Sequence, residues 1–285
     1  MIISVYFSTN RLYRFAPMRK TSIVTKKNVW RIFSYLIILI FEFGFGHSDL
    51  FCLQNVCHRF IRLIDEYFER MESVDFSIYS SENSRISWPC LRLMLKDNRS
   101  ICDLNLSHCK WIDDTRFLCL ITNQNRLKSI NLSSTFYISN RSLMVMALYC
   151  PYLETIILEN CGWLQPETLY CIAENCHQLI TLNLASCWNL NDESIKILLE
   201  KCGHSIQNLI IARIYSLTNE SLSSIRTFCL NIRFLDISFC WKITDSGLKY
   251  LIDCKNLEQI SIKGCSSITC VGRQYLCEYS NIIQN

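Results

Sequence analysis

Glycine and proline are scarce in this chain of 285 residues, at seven and four respectively. So few glycines leave no phosphate-cradling loop, and neither G-x-S-x-G nor H-E-x-x-H occurs. The usual nucleotide-binding, serine-hydrolase and zinc-protease readings are therefore removed, and the sequence reads as non-enzymatic. Charge is thin as well, at 19% of residues and a net +4. With half the chain hydrophobic, the composition as a whole argues against disorder. The modest charge gives no footprint for nucleic acid or a membrane surface. Long apolar runs are missing too: only ten uncharged residues separate Arg31 from Glu42, against about 20 for a membrane span.

Acidic residues are absent from Met1 to Phe41, while Arg11, Arg14, Arg19, Lys20, Lys26, Lys27 and Arg31 are present. Residues 1–28 read as a disordered basic leader. The same acid-free, Ser/Thr-bearing composition fits a mitochondrial presequence, which stays open as the alternative. Ile2 to Phe7 is too short for a signal-peptide core.

Cysteine is what the chain has in excess, with eighteen. Most of them are periodic. Cys109, Cys161, Cys187, Cys240 and Cys265 form one series, and Cys150, Cys176, Cys202, Cys229 and Cys254 another, each at multiples of 25 to 27 residues. A residue recurring once per period occupies the same site in every unit, and reduced cysteine is a small apolar side chain that suits a buried one. No C-x-x-C occurs and no histidine completes a zinc spacing, so metal ligation is not indicated and no cofactor is expected. Packed free thiols imply a reducing compartment: the cytoplasm, with the nucleus also open.

The same period governs the apolar residues. Leu104, Ile130, Ile156, Leu182, Leu209, Leu235 and Ile260 anchor seven copies of one pattern, at steps of 26, 26, 26, 27, 26 and 25. The clearest copies are Leu182-Asn183-Leu184-Ala185-Ser186-Cys187 and Leu235-Asp236-Ile237-Ser238-Phe239-Cys240. This L-x-L-x-x-C core resembles cysteine-containing leucine-rich repeats, each a short strand returning through a helix. The expected fold is an α/β solenoid, a right-handed horseshoe with parallel strands inside and helices outside. Helix stripes such as Leu143-Met146-Ala147-Cys150, Leu169-Ile172-Ala173-Cys176 and Ile195-Leu198-Leu199-Cys202 supply the outer layer. Pro166 sits at a first-turn position, and Thr218 and Thr244 are candidate caps. Carboxylates at Asp113-Asp114, Asp192-Glu193 and Asp245 fall at helix starts, where they favour the dipole. Seven repeats span residues 102–277. Residues 71–101, with a strand expected at Val74 and Phe76, form an irregular capping repeat, and residues 278–285 a tail.

Two helical patterns fill residues 29–70. They contain Ile32-Phe33-Ser34-Tyr35-Leu36, Asp49-Leu50 and Val56-Cys57-His58-Arg59-Phe60. This order resembles the F-box, although the usual opening Leu-Pro is absent and twelve residues separate Leu36 from Asp49. An F-box ahead of cysteine-type repeats is similar to the F-box and leucine-rich-repeat family. The resemblance implies a substrate-recognition subunit of a cullin-RING ubiquitin ligase of the SCF type. Ile32, Phe33, Leu36, Leu50, Leu53, Val56 and Phe60 would then meet a Skp-type adaptor, and the repeats would hold the protein to be ubiquitinated. The alternatives are a leucine-rich-repeat scaffold or a mitochondrial assembly factor, neither tied to a ligase.

A row of aromatics is the candidate client-binding feature: Trp111, Phe136 and Tyr137, Trp163, Trp188, Tyr215 and Trp241 follow the strand-closing positions. They fit either a ladder stacked between repeats or a binding rim, since Trp and Tyr dominate interface hot spots. The strand face alone, about 29 Å by about 13 Å, offers roughly 380 Å². That is below the ~800 Å² per partner of a standard interface. A protein client would need the rim.

Overall fold

The computed structural model divides into two units, Met1–Ile61 and Arg62–Asn285. It describes residues 4–6, 12–14, 72–77, 98–279 and 283–284, with side chains for 72–77 and 98–276. In the first unit, β1 (Ser4–Tyr6) pairs antiparallel with β2 (Leu12–Arg14) inside the stretch read as a disordered leader. Both segments are rich in aromatic and β-branched or aliphatic residues, which suit a ladder. The F-box-like residues 29–70 lie outside the described residues.

The second unit repeats one motion. Each of the seven periodic coils lays down a three-residue strand, turns a corner, and returns through a helix. The strands are β3 (Ser73–Asp75), β4 (Asp103–Asn105), β5 (Ser129–Asn131), β6 (Thr155–Ile157), β7 (Thr181–Asn183), β8 (Asn208–Ile210), β9 (Phe234–Asp236), β10 (Gln259–Ser261) and β11 (Ile283–Gln284). They form one nine-stranded parallel sheet in strict sequence order. The helices are α1 (Asp114–Ile121), α2 (Asn140–Tyr149), α3 (Pro166–Asn175), α4 (Asp192–Cys202), α5 (Asn219–Phe228), α6 (Asp245–Leu248, continued by a 3₁₀ turn at Lys249–Asp253) and α7 (Cys270–Tyr279).

The periodic anchors set the register. Leu104, Ile130, Ile156, Leu182, Leu209, Leu235 and Ile260 are paired one to the next at the centre of their strands, and all are buried. Val74 joins the row by pairing with Leu104, so the expected capping strand is present. The sheet also runs one strand beyond the seventh repeat, because β11 adds to β10 within the stretch read as a tail. The three helix stripes named above are buried along their whole length. Burying one large aliphatic side chain contributes about 1.5–3 kcal/mol, and in such an array the contacts run mostly between adjacent coils.

Coil length is taken up in the helix. The 27-residue step from Leu182 carries the eleven-residue α4. The 25-residue step from Leu235 tightens its return into α6 and the 3₁₀ turn. A 3₁₀ turn rises about 2.0 Å per residue against 1.5 Å in an α-helix, so fewer residues cover the same distance.

Each of the seven periodic coils corners in the left-handed region. His108, Ser134, Asn160, Ser186, Arg213, Phe239 and Gly264 have φ between 56° and 70°. Each of the first six donates its N–H to a carbonyl of the following coil, for instance Asn160 to Ala185 at 2.8 Å and Phe239 to Lys263 at 2.8 Å. A positive φ costs a non-glycine residue on the order of 1–3 kcal/mol. The cross-coil hydrogen bond and the buried closing residue next to it offset that cost. Gly264 has a further constraint, because a Cβ there would overlap the ring of Phe239.

Candidate protein-binding face

The two cysteine series line the core. Cys109, Cys161, Cys187, Cys240 and Cys265 are buried at the closing position. Each thiol donates to a carbonyl of the preceding coil: Phe76 (3.5 Å), Leu132 (3.3 Å), Leu158 (3.2 Å), Ile211 (3.4 Å) and Ile237 (3.1 Å). Thr135 and Ile214 take the same place in the other two coils. In the helix-end series Cys150 donates likewise to Gln124 at 3.4 Å, Cys176 to Cys150 at 3.8 Å and Cys202 to Cys176 at 3.3 Å. The fourteen cysteines whose side chains are described are all free. Desolvation pushes the thiols of Cys109, Cys150, Cys176 and Cys240 up to about 12, and those of Cys161, Cys202 and Cys254 up to about 11. A thiol held protonated is neither a nucleophile nor a metal ligand. Among the described residues no group of His, Cys, Asp and Glu could hold a metal ion, and no helix is long and apolar enough to cross a membrane.

The helix-start carboxylates do more than favour their own dipole. The first helical residue of one coil accepts hydrogen bonds from the helix start of the next. Asp114 accepts from the Ser139 N–H at 2.7 Å, and Asn140 from Gln165 N–H at 2.9 Å and the Thr168 hydroxyl at 2.7 Å. Asp192 accepts from the N–H and hydroxyl of Thr218 (2.9 and 2.8 Å) and of Ser221 (3.2 and 2.5 Å). Asn219 accepts from Thr244 N–H at 3.0 Å, and Asp245 from Thr269 N–H at 2.9 Å. Pro166 interrupts this row. The helix after it is capped from within, since Asn191 and Ser194 form a reciprocal capping box.

Polar residues at the strand ends are likewise used internally. Asn105, Asn131, Asn183 and Asp236 accept the N–H two residues on, at 2.8 to 3.1 Å. Ser107, Ser133, Ser186 and Ser238, beside these turns, are buried. Side chains so engaged turn the chain and are not free to contact a partner.

The aromatic row splits in two. Trp111 and Trp163 are half-buried against the core. Trp111 meets Phe76 edge-on with centroids 6.1 Å apart, and Trp163 donates its indole N–H to Thr135 O at 2.7 Å. These two are wedges between coils. The others stand out: Phe136 is 54% exposed, Tyr137 66%, Trp188 58%, Tyr215 41% and Trp241 50%. Trp188 lies over Gly162, whose added Cβ would come within 2.9 Å of the indole Cε3. Tyr215 and Trp241 stack at 4.4 Å with planes 20° apart. Beside them the Arg213 guanidinium lies 5.1 Å from the Phe239 ring centre. Arg213 and Phe239 were not singled out in the sequence. Their signal was their place one residue before the closing position, where backbone conformation and not chemistry is shared. The expected adaptor contacts, Ile32, Phe33, Leu36, Leu50, Leu53, Val56 and Phe60, lie outside the described residues.

A leucine-rich repeat family model matches residues 228–251, the end of α5 through strand β9 and into the turn after α6. A chain in the crystal structure of the Rad7 and Elc1 complex in yeast superposes with a TM-score of 0.53 at 17% identity. The match covers 90% of this chain and 75% of that one. This chain folds as a leucine-rich-repeat solenoid. The leucine-rich repeat-containing protein LegL7 of Legionella pneumophila is also similar, at 15% identity and a TM-score of 0.42, over 74% of this chain and 81% of that one. No curated protein matches the sequence. Within a leucine-rich-repeat solenoid the rigid ladder of short strands holds the exposed rings on consecutive coils at fixed spacing. Rings so held lose little entropy on contact with a partner.

Proposed function

We propose that this protein is a non-catalytic receptor whose repeats hold a client protein and whose N-terminal unit attaches it to a ubiquitin-ligase core of the SCF type. The observation that carries the receptor part is the exposed aromatic set Trp188, Tyr215 and Trp241, on three consecutive coils of a rigid array. The ligase part rests on the F-box-like order of Ile32-Phe33, Leu36, Asp49-Leu50 and Val56-Cys57. It is supported by the likeness to a chain solved within a protein complex, that of yeast Rad7 and Elc1. Ubiquitin transfer would gain from the receptor by proximity, through the raised effective concentration of a tethered client. The protein to be modified is the substrate, and no cofactor is called for.

Affinity purification of the full chain tests this. A Skp-type adaptor and a cullin should co-purify, and the pair Leu36→Ala/Leu50→Ala should remove them, since truncating central anchors costs about 2 kcal/mol or more. Adaptor capture that survives the pair sinks the F-box assignment. The acid-free leader favours a second reading, a mitochondrial assembly factor. A mature N-terminus well beyond Met1 in mitochondrial material would establish that reading in place of the first.

A further inference from the structure

Charge is distributed unevenly around the exposed rings. Arg213, Lys242 and Lys263 are all exposed, on the three coils that carry Tyr215, Trp241 and Gly264. Arg213 caps one side of the Phe239 ring, the ring's edge meets Gly264, and Phe239 N–H binds the Lys263 carbonyl. Lys242 follows Trp241 directly. None of the three is in an ion pair among the described residues. The described ion pairs lie elsewhere, at Asp113–Arg116, Lys128–Glu154, Glu174–Lys201, Arg226–Asp253 and Arg233–Glu258. Asp236, the strand-end carboxylate on these coils, is engaged with the Ser238 N–H. Toward the third coil the sign reverses: Glu159 sits there, accepting from the Asn183 amide at 3.3 Å.

We propose that this face takes an acidic peptide segment of the client, with carboxylates over Arg213, Lys242 and Lys263 and an apolar side chain on the Trp188–Tyr215–Trp241 rings. The inference rests on the repeats being the client-binding part and is independent of ligase attachment. Charge complementarity argues for the occupant. Three unpaired cations beside exposed rings lose little by meeting carboxylates, whereas a basic segment would be repelled. Aromatic faces beside cations also suit single-stranded nucleic acid. Three cations and a net charge of +4 are weak for a phosphate backbone, which binds mainly through counterion release from many contacts.

The test selects from a random peptide library displayed on phage, using the intact chain and the variant Arg213→Glu/Lys242→Glu/Lys263→Glu. The intact chain should enrich peptides that combine Asp or Glu with Phe, Trp, Tyr or Leu. A fluorescein-labelled peptide from that set should bind about tenfold more weakly to the variant, the summed effect of three exposed charge contacts. Its affinity for the intact chain should fall as salt rises through the range where screening acts within about 10 Å. Should the variant fail to fold by circular dichroism, the salt titration and the milder Arg213→Gln/Lys242→Gln/Lys263→Gln carry the decision. Neutral or basic selected peptides, salt-independent binding, or tighter capture of an oligouridine than of the acidic peptide would each overturn the proposal. Adaptor co-purification from the same preparations separates the two readings. Its loss with peptide binding intact removes the ligase assignment alone, and peptide failure with the adaptor retained removes this one alone.

Discussion

Replacing Asp192 with Ala probes how the coils are joined. One carboxylate at the start of α4 receives four hydrogen bonds from the start of α5, two from Thr218 and two from Ser221. The Ser221 N–H keeps a second acceptor in Thr218 O at 3.2 Å, and the Thr218 hydroxyl can reorient to solvent. The Thr218 N–H and the buried Ser221 hydroxyl lose their partner outright. Helix-cap losses cost ~0.5–2 kcal/mol and an unsatisfied buried group ~1–3 kcal/mol, so D192A should cost about 2–4 kcal/mol. D192N is the internal control. Asn stands at the equivalent place in Asn140 and Asn219 and there makes the same cross-coil bonds through one oxygen. Its cost should stay below about 1 kcal/mol. Repeat arrays depart from two-state unfolding, so the midpoint of urea denaturation should be read together with amide exchange. The loss of protection should centre on α5 and leave α2 unchanged. A D192A effect below about 0.5 kcal/mol, or a D192N effect equal to it, would refute the cross-coil clasp.

Three further outcomes follow from the same geometry. Paired substitution Tyr215→Ala/Trp241→Ala should weaken client binding by about 2 kcal/mol or more, and move the unfolding midpoint little because both rings are exposed; isothermal titration and urea melts read the two. Gly162→Ala should displace the Trp188 ring, since the new Cβ would sit 2.9 Å from it; a shift in tryptophan emission absent from Gly162→Ala/Trp188→Phe checks this. The core thiols should make stability fall on the alkaline side. Burial raises Cys109, Cys150, Cys176 and Cys240 from an ordinary 9.0 to about 12, so above pH 9.0 the unfolded chain loses protons that the folded chain keeps. Their contribution is complete below that pH and is lost as pH rises toward about 12; urea melts of the chain and of Cys176→Ala and Cys240→Ala variants across that window test the sign.

The register of the sheet could be read from the sequence because a fixed period leaves one way to align Leu104 through Ile260. Burial of the cysteine series followed from the same argument. The corner residues could not be read. His108, Ser134, Asn160, Ser186, Arg213, Phe239 and Gly264 share a backbone conformation, and no common side chain announces it. The helix-start acids were visible as acids, but their partners lie 24 to 29 residues away, beyond any local pattern. The aromatic row was found as a row. Its division was hidden because Trp111 and Trp163 sit two places past the closing position, while Trp188, Tyr215 and Trp241 sit one place past it. A one-residue offset separates the two inward tryptophans from Trp188, Tyr215 and Trp241. Tyr137, also two places past, follows Phe136 and is exposed with it.

The interruption at Pro166 gives the array a joint. Everywhere else from α1 to α7 a coil can seat its successor only if the successor brings a matching donor to its first helical residue. The fourth coil carries its own closure in Asn191 and Ser194, and its polar tie to the third nearby runs from the Asn189 amide to a backbone carbonyl, Gly162 O, at 2.7 Å. A duplicated or foreign coil spliced between the third and fourth would have no helix-start side-chain clasp to match, and any coil offers a backbone carbonyl for Asn189. The solenoid could lengthen there without relearning the rest of its clasps.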